Sequence, residues 1–113
     1  FLAEEGLDTL RFLRDSGWSS NIATLSVNTD YYLSFDSGAS QWSIVSTPPA
    51  KIEGVFERSF RIENVLRDSG DNIAPVGTND PETRKIIMNV AWSFQQSSEN
   101  VSLEAYLADL FGN

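Results

Sequence analysis

Carboxylates are the only plentiful chemically active groups in this sequence. It carries 16 Asp and Glu against 8 Lys and Arg, with no His and no Cys in 113 residues. There is thus no imidazole base, no thiolate nucleophile, no disulfide and no thiolate or imidazole ligand for a transition metal. What remains is oxygen chemistry. Asp68, Asp71 and Asp80, with Asn72 and Asn79 among them, are hard donors of the kind calcium takes. The spacing D-x-[DN]-x-[DN]-G is absent, so a solvated turn is the expectation and no cofactor is assigned. Asp30, Asp36, Glu57 and Glu63 would act as a glycosidase pair only if two of them faced each other across a cleft, roughly 5 to 10 Å apart. Glu57 and Glu63 instead alternate with Ser59 and Arg61 on a polar strand face, where cross-strand charge pairing is their ordinary role. The chain reads as a non-enzyme.

Two other groups call for an explanation. Arg58 interrupts an apolar strand face, and its expected partner is a helix acid, Glu4, Glu5 or Asp8. Tyr31, Tyr32, Trp42 and Trp18 either fill a core or form a patch that stacks on sugars or proteins. Asn100-Val101-Ser102 is a glycosylation sequon, too short a motif to carry an inference by itself.

The elements that must position these residues follow from periodicity. In residues 1–15, Leu2, Ala3, Gly6, Leu7, Leu10 and Leu13 share one side of a helical wheel. Ser16-Gly17 stops that helix, and Trp18 is placed to fold back on its end. Phe12 lies about 20° from Phe1 on the wheel and opposite the leucines, because eleven residues nearly complete three turns. Leu25 and Val27 make a short alternating run. Tyr31–Phe35 and Gln41–Val45 read as a hairpin around the turn-forming residues Asp36–Ser40, and Thr47-Pro48-Pro49 breaks the strand that follows.

Two longer alternations are stronger. Phe56, Arg58, Phe60, Ile62, Asn64 and Leu66 share one face, and Ile86, Met88, Val90, Trp92 and Phe94 share another. Residues 68–81 between them read as a long polar loop. For 101–111, a short strand followed by a turn of helix is expected, since Leu103, Leu107 and Leu110 suit a helix as well as a strand. The sum is an α+β domain spanning 1–113. A helix over 1–16 packs on an antiparallel sheet of about five strands within 22–113, through Leu2, Leu7, Leu10 and Leu13 against Phe60, Ile62, Met88, Val90 and Trp92. The second sheet face is left to water.

Composition restricts the partners. A net charge of −8 repels a phosphate backbone, so nucleic acid is not an expected partner. No window nears the roughly 18 to 20 apolar residues of a membrane span, and the first residues lack the pattern of a secretion signal. The absence of cysteine is compatible with any redox compartment.

Ala3-Glu4-Glu5-Gly6, Arg11-Phe12-Leu13-Arg14-Asp15 and Trp18 together resemble the end of the long N-terminal helix in bacterial type IV pilin-like proteins, the minor pilins and secretion pseudopilins. A second likeness follows in the same order. Phe56–Val65, Arg67-Asp68-Ser69, Asp80-Pro81 and Lys85–Ser93 look like that family's paired strands and the acidic loop between them. The resemblance implies a structural subunit of a surface filament or secretion pseudopilus, anchored in the inner membrane before assembly and bundled with its neighbours through the N-terminal helix. It also implies a longer apolar helix upstream, the only segment that would meet a membrane. Phe1 and Glu5 imitate the family's mature start, but Asp8, Arg11, Arg14 and Asp15 are too many charges for a membrane-competent helix. The assembly face would then be Phe1, Glu5 and Phe12. Some pseudopilins hold calcium in a head-domain loop, which is the role Asp68, Asp71 and Asp80 would have here. The alternative is a monomeric extracellular module binding a carbohydrate or protein through its aromatic residues.

Overall fold

The computed structural model describes residues 1–109. Its elements are α1 (Leu2–Ser16), α2 (Trp18–Asn21), β1 (Tyr32–Asp36), β2 (Gln41–Val45), β3 (Glu57–Arg67), β4 (Ile73–Ala74), β5 (Thr78–Phe94) and β6 (Ser97–Ala108). Helix α1 forms because its apolar residues recur at helical spacing, and Ala3, Gly6, Leu7, Leu10 and Leu13 are all buried on one stripe. Its last turn is closed by the Gly17 N–H, which donates to the Leu13 and Arg14 carbonyls, and by Asn21 Nδ2, which donates to the Leu13 carbonyl at 2.8 Å. Trp18 then turns back into the core as the first residue of α2.

Helix and strands are antiparallel α+β as expected, but one sheet of about five strands is not what forms. The strands make a two-stranded sheet, β1-β2, and a four-stranded sheet in the order β4-β3-β5-β6. Among the described residues the backbone link between them is the bridge of Tyr31 to Phe60, after which the chain leaves the edge of β3 and β1 pairs with β2 alone. Leu25–Val27 is not a strand but a series of turns whose side chains pack on the core.

Residues 78–81 belong to β5 rather than to a loop, and β4 occupies 73–74. Pro81 is accommodated because the register jumps there: Asn64 faces Arg84 and Val65 faces Asp80, leaving residues 81–83 as a bulge. Around this bulge alternation stops predicting burial. Asn64 is exposed and Val65, on the nominally wet face, is buried beside a cleft lined by Ile73, Pro75 and Tyr106. The expected turn of helix after 101 is a strand through Ala108, paired residue for residue with β5; Leu110 and Phe111 lie outside the described residues.

The core lies between α1 and the four-stranded sheet. Leu10, Phe60, Ile62, Ile86, Met88 and Leu107 are wholly buried, with Ala3, Leu7, Leu13 and Val90 around them. Leu2 and Trp92 are half-buried against this cluster, and Phe94, at the end of β5, is exposed. Each wholly buried side chain of this kind contributes roughly 1.5–3 kcal/mol. Gly6 sets the helix-to-sheet distance: a Cβ there would lie 2.9 Å from both Sδ and Cε of Met88. Among the described residues no helix is long and apolar enough to cross a membrane.

Candidate functional site

Helix α1 has two dissimilar flanks. The inner one is consumed by the core, while the outer one carries Phe1 at 90% exposure and Phe12 at 62%. Phe12 is left in water because the wheel puts it opposite the leucine stripe, away from the sheet, whereas Phe1, just before the helix, also borders a pocket with Val90, Trp92 and Val101 of the sheet. The β1-β2 hairpin stands beside this flank. Asp36 Oδ1 accepts from the Gly38 and Ala39 N–H groups and tightens the hairpin turn, which brings Phe35 against Trp42 with ring centroids 5.1 Å apart. Between α1 and the hairpin runs a groove of about 1040 Å³, lined by Phe1, Phe12, Phe35 and Trp42 with Glu4, Glu5 and Asp8 along the helix side.

Arg58 is the post that holds the groove's two walls. Of the three candidate acids the structure selects Glu5: Arg58 Nη1 donates to Glu5 Oε1 at 2.8 Å and to the Leu2 carbonyl at 3.0 Å. The guanidinium also lies 5.6 Å from the centre of the Trp42 ring, within cation–π range. One buried side chain on β3 therefore ties the first turn of α1 to β2. Glu5 faces the groove but its carboxylate is engaged by Arg58, so the exposed apolar contacts of this flank come from Phe1 and Phe12. Asp8 pairs with Arg11 at 2.7 Å.

Asp68 and Asp80 are turned to the fold's own polar groups. Asp68 Oδ1 accepts from the Gly70 and Asn72 N–H groups. Asp80 accepts from Arg67 Nε at 2.8 Å, from the Thr83 hydroxyl at 2.9 Å and from the Glu82 N–H at 3.0 Å. These bonds, the one from Arg67 first, hold the Asp80 carboxyl below the usual carboxylate range. Asp71 is exposed and 3.8 Å from Arg67. The result is a clip across the mouth of the β3-β5 pair, and no group of three metal-ligating side chains occurs among the described residues. Asp30 pairs with Arg61 and Glu63 lies 4.0 Å from Lys85, while Glu57 is exposed on β3.

The four aromatic residues considered as one patch are dispersed. Trp18 is in the core, Tyr31 packs on Phe60 and its hydroxyl accepts the Ser26 N–H, Tyr32 is half-buried on β1, and Trp42 packs against Phe35 with the rings tilted by 57°. The aromatic surface is instead assembled from Phe1, Phe12, Phe35 and Trp42, and Phe35 is the member that sequence reasoning missed. Its signal was a phenylalanine at the hairpin end next to turn residues, where a strand face has run out of core. The Arg67–Asp80 clip was also unforeseen, because its partners are thirteen residues apart and meet only once β3 and β5 pair. Comparison with family models, characterised proteins and solved structures finds no match to this chain.

Proposed function

We propose that this chain is the head of a structural subunit of a type IV pilus or pilus-like secretion filament, which assembles through α1 and displays its sheets and loops outward. The observation that carries the reading is the division of α1: the leucine flank is locked to the sheet and the flank bearing Phe1 and Phe12 is bare. A helix used only to complete a core has no need of exposed phenylalanines in line on its far side, whereas a helix bundled with its neighbours buries them. The net charge of −8 keeps free heads apart, so neighbour contacts must be specific.

The test is fractionation of the native gene's product. Filaments sheared from the cell surface should contain the chain, and Phe12→Asp should remove it from that fraction while the domain keeps its fold. A wild-type protein found only free in the medium, or a Phe12→Asp variant incorporated normally, refutes the reading. A monomeric module that binds a carbohydrate or protein is the second reading, favoured by the aromatic groove between α1 and the hairpin. The reading frame upstream of Phe1 separates the two. A short basic leader followed by roughly 20 apolar residues belongs to the subunit, and a cleavable secretion signal to the module.

A further inference from the structure

The two edges of the four-stranded sheet are treated differently. At the β3 edge, Tyr31 and Phe60 exchange both backbone hydrogen bonds at 2.8 Å, the Asn28 N–H donates to the Ile62 carbonyl, and β4 pairs with Leu66 and Arg67. At the other edge, β6 pairs twelve residues with β5 without a register break, and no described residue bonds its outer side. An unpaired strand presents a row of backbone donors and acceptors, and edges that stay monomeric are blunted by charged side chains, above all lysine, by proline or by a bulge. Residues 97–108 contain no lysine, no proline and no bulge. Of their two charges, Glu104 is drawn over the sheet by Lys85 at 3.0 Å, and Val101 and Tyr106 are each about half exposed.

We infer that β6 is a docking edge for a second copy of this chain, the two β6 strands pairing antiparallel about Ser102 to give one continuous eight-stranded sheet. The strand's own sequence argues for itself as partner. A two-fold axis through Ser102 sets Asn100 against Glu104, Glu99 against Ala105 and the exposed Val101 against Leu103. No like charges then meet and an apolar pair forms. The register that would oppose Glu99 and Glu104 is a one-residue slip, which also turns the strands' unlike faces together and is disfavoured twice. This inference does not rest on the filament reading: Val101 borders a pocket with Phe1, but Phe12 does not line it, so Phe12 separates the two.

Sedimentation of the full chain from micromolar to millimolar concentration tests it. A monomer–dimer equilibrium is expected, with the dimer strengthened by salt because screening relieves repulsion between two copies of charge −8. Val101→Lys should weaken the dimer at least tenfold without lowering Tm, and Phe12→Asp should leave it unchanged. With no native cysteine, Ser102→Cys should oxidise to a covalent dimer and Ser40→Cys, at the hairpin tip, should not. A chain that stays monomeric throughout overturns the inference. So does a dimer that tolerates Val101→Lys or is lost with Phe12→Asp.

Discussion

Replacing Glu5 with glutamine takes away the counter-charge of a guanidinium whose side chain is only 4% exposed, while Glu5 itself is 46% exposed. Breaking a fully buried ion pair by removing one partner costs about 3–5 kcal/mol. Here water reaches the carboxylate side and the Leu2 carbonyl still accepts from Nη1, so screening reduces the expected cost to about 1–2 kcal/mol. Arg58→Met removes the charge, keeps the packing of the stem under Trp42, and should cost less than Glu5→Gln, because it leaves no uncompensated buried charge. The double variant should then be more stable than Glu5→Gln alone. Urea denaturation followed by tryptophan fluorescence reads this directly, since Trp42 lies against the guanidinium. With a urea slope of about 1–3 kcal/mol/M, Glu5→Gln should lower the midpoint by roughly 0.3–2 M, and Arg58→Met by less. If Arg58→Met is the worse of the two single variants, or if the two effects simply add to within about 0.3 kcal/mol, the ion pair does not clamp α1 to the sheet and the reasoning fails.

Three further outcomes follow from the same structure. Leu10→Ala, at a wholly buried position facing the sheet, should cost about 3–5 kcal/mol, whereas Phe12→Ala two residues later should stay within about 0.5 kcal/mol; comparable losses by denaturant melts would contradict the division of α1. Gly77 has φ +144°, and a Cβ there would lie 2.2 Å from the Arg67 carbonyl oxygen. Gly77→Ala should therefore lower Tm clearly and loosen amide protection around 67–80, and an unchanged Tm would show that the β4-β5 connection relaxes freely. Because the Asp80 pKa is depressed in the folded chain, its contribution is present above the unfolded carboxylate pKa of about 3.9 and is lost as pH falls through the folded value. The stability gap between wild type and Asp80→Asn should accordingly close below pH ~4, and a gap that persists or widens in acid would exclude the Arg67–Asp80 clip as its source.

What the residues determined alone was whatever repeats locally. The wheel of Leu7, Leu10 and Leu13 specified a helix and its buried flank, and the alternations through Phe60 and Ile62 and through Ile86, Met88 and Val90 specified the strands and their core faces. The exclusions also came from composition: with neither histidine nor cysteine, whole classes of chemistry are closed to this chain whatever its shape. Leu103 and Leu107 could not decide between strand and helix, since a four-residue spacing returns to the same face under either period. Pairing with β5 decided it. In the same way Pro81 looked like a loop until the bulge opposite Asn64 and Val65 made room for it, and the β1-β2 ribbon looked like part of one sheet until the chain left β3 after Tyr31. The groove walled by Phe12, Phe35 and Trp42, the choice of Glu5 over its neighbours as partner to Arg58, and the bare edge of β6 belong to tertiary structure alone. Each depends on which distant segments meet, and periodicity along the chain carries no record of that.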